Sequence, residues 1–198
     1  MITTDEAMMR IAVHEAGHCV IAMLLRPDDN IEVSLKERSM VTSHSHETAT
    51  AKFEHRFMTK KEEENYIAEM IGGLVAEDYI YGEHSTGAGL DAMRAAAGVR
   101  NLISLYGFYG YKYLRHFGTG EGVESSEKML NEIDDLVESI FKRLEERTLN
   151  LITANKPLFD AVLEELIERK YLPDNYLKSI LKKYEKTQNE KSNIDCLT

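Results

Sequence analysis

The sequence predicts a mainly α-helical protein with a small β-hairpin or sheet and a C-terminal helical bundle. Apolar residues recur at helical spacing over most of the chain. Residues 31–57 lack this period: 31–35 alternate apolar and polar residues, and 40–57 are rich in Thr, Ser, Val and His. Alternation of that kind is typical of a half-buried strand. Pro157 and Pro173 divide the C-terminal part into separate helices.

The first predicted helix begins at Thr3, whose spacing to Glu6 fits a capping box, and it ends near Leu25. Residues 26–30 then have the composition of a turn. The centre of the helix is apolar, and we expect most of its sides to be buried. Its apolar residues are Ile11, Ala12, Val13, Ala16, Val20, Ile21, Ala22 and Leu24.

A polar triplet, His14, Glu15 and His18, interrupts this apolar helix in the pattern H-E-x-x-H. Positions i and i+4 lie on one face of a helix, so both imidazoles can reach one metal ion at about 2.0–2.1 Å. Glu15 then leans toward the open coordination position, where it can take a proton from water. Burying three ionisable groups without a partner is costly, which favours a zinc site over two ordinary histidines. A further ligand must come from farther along the chain, because Leu24 stands where an extended motif has a third histidine.

The second predicted helix, residues 59–82, opens on a capping box at Thr59. Gly72 and Gly73 lie within it, although each Gly costs about 1 kcal/mol relative to Ala in a helix. Such a pair indicates the close approach of another backbone, here that of the first helix. Glu77 on the same helix is a candidate metal ligand.

Asp91 lies in the first turn of an Ala-rich helix that follows the Gly-rich loop 83–89 and closes near Leu105. An acid at that position is commonly a partner of the helix dipole. The residues alone favour this interpretation over metal ligation.

Two further segments leave alternatives open. His44, His46 and His55 fit either a second metal site or, as we favour, a solvated edge strand. The aromatic and Gly-rich residues 106–113 fit either the lining of a substrate channel or a cover over the core.

Composition limits the class of protein. The 198 residues carry a net charge of −10, which excludes a basic nucleic-acid groove and gives no attraction to an anionic membrane. We expect no signal peptide, because the first residues lack a basic region followed by an apolar core, and no apolar run approaches the ~18 residues that span a bilayer. Cys19 and Cys196 do not make a disulfide framework, so we expect reduced thiols and a cytoplasmic protein.

Several motifs together resemble the peptidase domain of the FtsH family of zinc metalloproteases. They are HEAGH at 14–18, GGLVAE at 72–77, TGA at 86–88 with Asp91 beyond it, and YG at 106–107. The resemblance implies a helical metalloprotease fold that binds Zn²⁺.

Carried over position by position, the resemblance implies that His14, His18 and Asp91 are metal ligands and that Glu15 is the catalytic base. It implies for Glu77 a helper role, in which its carboxylate orients a ligand histidine.

The resemblance covers residues 5–185 and implies a single peptidase domain over 1–186. We expect residues 1–120 to form its zinc-site part and 121–186 its C-terminal helices, and the composition of 187–198 predicts a disordered tail. FtsH proteins carry membrane helices and an ATP-driven module ahead of this domain, whereas no G-x-x-x-x-G-K-[ST] motif occurs here. The chain is therefore either a stand-alone relative or an excised domain. Its segment 40–57 also lacks the Gly and Pro usual between the family's strands.

The expected function is that of a zinc metalloendopeptidase, independent of ATP in this form, acting on peptides or unfolded protein segments. Homo-oligomers and a separate AAA ATPase are the partners that the resemblance implies. The alternative is a catalytically inactive, metal-stabilised peptide-binding or adaptor module that docks on such an ATPase. Glu15 favours the enzyme, because a purely structural metal site does not need it.

Overall fold

The structure, a computed structural model, describes residues 4–35, 42–43, 58–110 and 127–195, and these are mainly helical as predicted. Their helices are α1 (Thr4–Leu25), α2 (Lys60–Met70), α3 (Gly72–Tyr81), α4 (Gly89–Ser104), α5 (Glu127–Ala154), α6 (Lys156–Arg169) and α7 (Asp174–Asp195). Their strands are β1 (Ile31–Ser34), β2 (Thr42–Ser43) and β3 (Tyr171–Leu172). Short 3₁₀ turns span Thr86–Ala88 and Phe108–Gly110.

Helix α1 lies at the centre of the fold, packed mainly between α3, α6 and α2. Most of its apolar residues between Ala12 and Met23 are buried, as predicted. Ile11 is an exception, since its side chain is 48% exposed. It precedes the half-buried Glu15 by one turn, so the two lie on a side of α1 that the other helices leave open.

By length and composition, residues 5–25 of α1 form the one helix within the described ranges that could cross a membrane. Sequence analysis did not predict this span because polar residues interrupt the apolar run. More than half of the apolar window is buried inside the fold. The hydrophobicity of α1 is therefore that of a core helix.

The predicted close contact between the first helix and the glycine pair is present. A Cβ atom on Gly17 would lie 2.3 Å from the carbonyl oxygen of Gly72 and 2.6 Å from Cβ of Ala76. A Cβ atom on Gly72 would lie 2.9 Å from the carbonyl oxygen of Gly17. The backbones of α1 and α3 thus touch, and a side chain at either position would force them apart.

The single helix predicted over residues 59–82 is in fact two helices, α2 and α3, divided at Ile71. The capping box at Thr59 is present, with Glu62 as its second member. Gly82 ends α3 with a left-handed φ of 76°. Periodicity did not reveal the division, because apolar residues keep the same spacing on both sides of Ile71.

The strands form one small antiparallel sheet in the order β2-β1-β3. Ile31 pairs with Ser43, and Val33 pairs with Leu172. The alternation over 31–35 therefore predicted β1 correctly, whereas β3 is too short to leave a pattern. His44, His46 and His55 lie outside the described residues.

The C-terminal helices follow the predicted order, with Pro157 in the first turn of α6. Helix α7 is longer than predicted, and it continues to Asp195 through residues that we expected to form a disordered tail. Local contacts support this extension: Lys186 pairs with Glu190 across one turn, and the Thr187 hydroxyl donates to the carbonyl of Lys183.

We predict that Gly17→Ala lowers the free energy of unfolding by about 3 kcal/mol, because its new Cβ meets backbone atoms that cannot rotate away. Urea unfolding followed by circular dichroism measures the change. Gly89→Ala is the matched control, since no atom lies within 4 Å of its new Cβ. Equal unfolding midpoints for the two variants would contradict a tight contact between α1 and α3.

Candidate metal centre

Three ligand atoms from two helices converge on one point. Nε2 of His14 lies 2.9 Å from Nε2 of His18 and 3.2 Å from Oδ2 of Asp91. Nε2 of His18 lies 3.6 Å from the same Asp91 oxygen. Within the described ranges, this is the one group of three such residues arranged to share a metal ion.

These separations suit a tetrahedral ion. Ligand atoms that lie about 2.0–2.1 Å from a common tetrahedral centre are about 3.3–3.4 Å apart. The observed distances of 2.9, 3.2 and 3.6 Å bracket that value. Two imidazoles and one carboxylate also form a donor set typical of zinc.

The second ring nitrogen of His14 is held by Glu77. Nδ1 of His14 lies 2.7 Å from Oε1 of Glu77, whose other oxygen accepts a hydrogen bond from the backbone N–H of Ser85 at 2.7 Å. Glu77 is 1% exposed. A carboxylate accepts the Nδ1 proton, which leaves the Nε2 lone pair for a metal ion. Glu77 thus lies behind a candidate ligand and outside the converging set.

His18 is held in the same way by a main-chain group. Its Nδ1 lies 2.6 Å from the carbonyl oxygen of Glu69, near the C-terminal end of α2. A carbonyl oxygen only accepts, so Nδ1 must be the donor and Nε2 keeps its lone pair. Glu69 was not predicted to take part, because a main-chain contact leaves no trace in residue identity.

The site is strongly electronegative. Burial alone would lower the pKa of His14, but hydrogen bonds to Asp91 and Glu77 and the nearby charge of Glu15 outweigh it and raise that pKa to about 9. Burial would likewise raise the pKa of Asp91, but its close contacts with the His14 and His18 imidazoles hold it well below its usual value. Three carboxylates around two imidazoles stabilise a cation here, either a proton on His14 or a metal ion that takes the place of that proton at Nε2.

Gly73 places the backbone of α3 directly against the two imidazoles. A Cβ atom there would lie 2.6 Å from Nε2 of His18 and 2.7 Å from ring atoms of His14. The predicted close approach at Gly72 and Gly73 therefore occurs at the candidate ligands themselves.

The described part of the aromatic loop, residues 106–110, is held by side chains of α2 and α5. The Tyr109 hydroxyl bonds to the carboxylate of Glu64, and Nη2 of Arg143 donates to the same hydroxyl at 2.8 Å. Lys60 lies over the Tyr109 ring at 3.4 Å. These contacts fix the loop to α2 and α5, which favours a covering role. Residues 111–113 lie outside the described ranges.

Comparison with known proteins places this sequence among peptidases. The family model described as Peptidase family M41 matches residues 1–180. Proteins named ATP-dependent zinc metalloprotease FtsH are 29% identical in Helicobacter felis, over 90% of this chain, and 27% identical in Bacillus subtilis, over 86% of it. The Symbiobacterium thermophilum protein named ATP-dependent zinc metalloprotease FtsH 2 is 31% identical over 89% of this chain. The chain spans 29–30% of the length of these relatives.

We predict that Gly73→Ala weakens zinc binding by about tenfold or more, because the methyl group displaces both imidazoles from their hydrogen-bonded positions. Competition with a chromophoric zinc chelator measures the dissociation constant. Gly89→Ala, on the helix that carries Asp91, is the control and should bind zinc as the unaltered protein does. Unchanged affinity in a folded Gly73→Ala protein would contradict the assigned position of the metal.

Proposed function

The chain belongs to peptidase family M41, and we propose that it is a zinc metalloendopeptidase that hydrolyses peptide bonds in peptides or unfolded protein segments. The observation that carries this proposal is the convergence of His14, His18 and Asp91 within 3.6 Å, with Glu15 beside them on α1. The relatives' printed names, each a zinc metalloprotease, support the choice of zinc and of proteolysis.

In this proposal His14, His18 and Asp91 hold the ion, while Glu77 and the Glu69 carbonyl keep both imidazoles in the tautomer that binds metal. When bound, zinc supplies Lewis acidity, which activates water and polarises a carbonyl group near neutral pH. Glu15 accepts the proton of the attacking water and later returns it to the leaving amine. Both transfers use one carboxylate, so the protein needs no second acid at the scissile bond.

An extended substrate can add to the sheet as a further strand. Strand β1 already pairs on both sides, with β2 and β3, so its edges are occupied. Within the described ranges, β2 is one of the two outer strands of the sheet, and it lies in the segment 40–57. We propose this edge as the place where a peptide binds, because its main-chain groups can pair with any sequence.

The relatives' names describe them as ATP-dependent. The hydrolysis proposed here involves no ATP-binding residues of this chain. We propose that cleavage of peptides by these residues is independent of ATP, and that folded substrates need a separate AAA ATPase. Homo-oligomers also belong to the proposal. Cytoplasmic location does too.

We predict that Glu15→Gln binds about one zinc per chain yet cleaves a casein or peptide substrate at least about 10²-fold more slowly, because it has lost the proton acceptor. Elemental analysis gives the zinc content, and a fluorogenic peptide gives the rate.

His18→Ala is the companion variant, and it should lose the metal together with the activity. Cleavage at the original rate by Glu15→Gln would contradict its role as base. If the unaltered protein and Glu15→Gln both bind zinc and neither cleaves the substrate, the result would favour the peptide-binding module instead.

A further inference from the structure

The hydrogen bond that orients His18 joins two different helices. The imidazole comes from α1, while the carbonyl oxygen of Glu69, 2.6 Å away, comes from the last turn of α2. Its length and direction therefore depend on how firmly the end of α2 is fixed relative to α1. Hydrogen bonds weaken steeply with misalignment, so a small shift of α2 would release the ring.

Arg26 supplies that fixation at the end of α1. Its backbone N–H continues the helix ladder to Ala22 at 2.8 Å, and its side chain is 8% exposed. The guanidinium forms an ion pair with the carboxylate of Glu69 and lies over the ring of Tyr66 at 3.8 Å. It also reaches Asp29 at 2.6 Å.

Both α2 contacts of Arg26 fall on one face of that helix, because Tyr66 and Glu69 are three residues apart. One residue therefore provides both the acceptor for His18 and the carboxylate for Arg26: Glu69 uses its main chain for the first and its side chain for the second. A weaker link runs parallel to it, in which the Asn65 amide donates to the carbonyl of Leu25 at 3.4 Å.

We propose that Arg26, through Glu69, is a positioning residue for the metal centre. This inference rests on the proposed function for the presence of zinc. The planar guanidinium, which contacts Glu69 through Nη2 and Asp29 through Nη1, fixes the last turn of α2. The Glu69 carbonyl then fixes the Nδ1 proton and ring plane of His18. Nε2 of His18 consequently points at Nε2 of His14 and at Asp91 before any ion arrives. Among the described contacts, Arg26 meets none of the three candidate ligands.

A second ion pair on α2 offers a comparison in which the carboxylate is equally buried, although its partner Arg143 is 47% exposed. Glu64 is 8% exposed and pairs with Arg143, while Glu69 is 9% exposed and pairs with Arg26. Both are carboxylates of the same helix, but among the described contacts only the Glu69 carbonyl meets a candidate ligand. A merely stabilising role would give the two pairs the same effect on zinc.

The experiment compares Glu69→Gln, Glu64→Gln and Arg26→Lys in the full chain. The zinc dissociation constant is measured by chelator competition, and the visible spectrum of the cobalt(II)-loaded protein reports ligand geometry. We expect Glu69→Gln to weaken zinc binding by about tenfold and to alter the cobalt spectrum. Glu64→Gln should change affinity by less than about twofold, even if both variants lower Tm.

Arg26→Lys keeps the charge but loses the planar fork, so it should also weaken zinc binding while remaining folded. If Glu69→Gln fails to fold, the zinc affinity and cobalt spectrum of Arg26→Lys test the inference instead. Unaltered affinity and cobalt spectrum in the folded variants would overturn the inference, as would equal losses in Glu69→Gln and Glu64→Gln. If the unaltered protein binds no zinc, the proposed function is overturned as well. If the unaltered protein cleaves substrates only weakly but Glu69→Gln still binds zinc about tenfold less tightly, the positioning role is supported.

Discussion

The contact between the backbones of α1 and α3 at Gly17 and Gly72 is the constraint on which the candidate site depends. Helices usually pack 8–10 Å apart because side chains separate them. Here glycine removes the separating atoms on both sides. The result is that Gly73 lies directly against the imidazoles of α1, and Glu77, about one turn farther along α3, reaches Nδ1 of His14.

The same closeness explains how a polar cluster is tolerated inside an apolar core. Each imidazole has an acceptor behind it, the Glu77 carboxylate for His14 and the Glu69 carbonyl for His18. Glu77 is satisfied in turn by the backbone N–H of Ser85, on the segment that leads to α4 and Asp91. Because the polar groups satisfy one another, the desolvation cost of each is offset within the cluster.

The sequence predicted those parts of the site that depend on helical periodicity or on an unusual residue. His14 and His18 lie together because four residues make about one turn, and the glycine pair marked a contact that only glycine permits.

Asp91 was different. Its residue type and place in a first turn fitted a helix-dipole partner, and the resemblance to a known family was needed to predict its position beside the histidines. The Glu69 carbonyl and strand β3 were not predicted, since a main-chain acceptor and a two-residue strand leave no pattern to read. Ile11 was predicted to be buried because periodicity identifies an apolar face without showing where a site opens.

The pairing of β1 with β3 has a consequence for how the protein comes to be folded. Val33 and Leu172, both buried, meet across the sheet although 139 positions separate them, and Asp174 accepts a hydrogen bond from the backbone of Ile31. Helix α1 also packs on α6, where Phe159 is fully buried. A chain emerging from the ribosome therefore cannot complete the surroundings of α1 until residues up to Leu172 have been synthesised. The histidines precede these partners in the chain by well over 100 residues, so the packing around the helix that carries them is completed only after the later helices have been made.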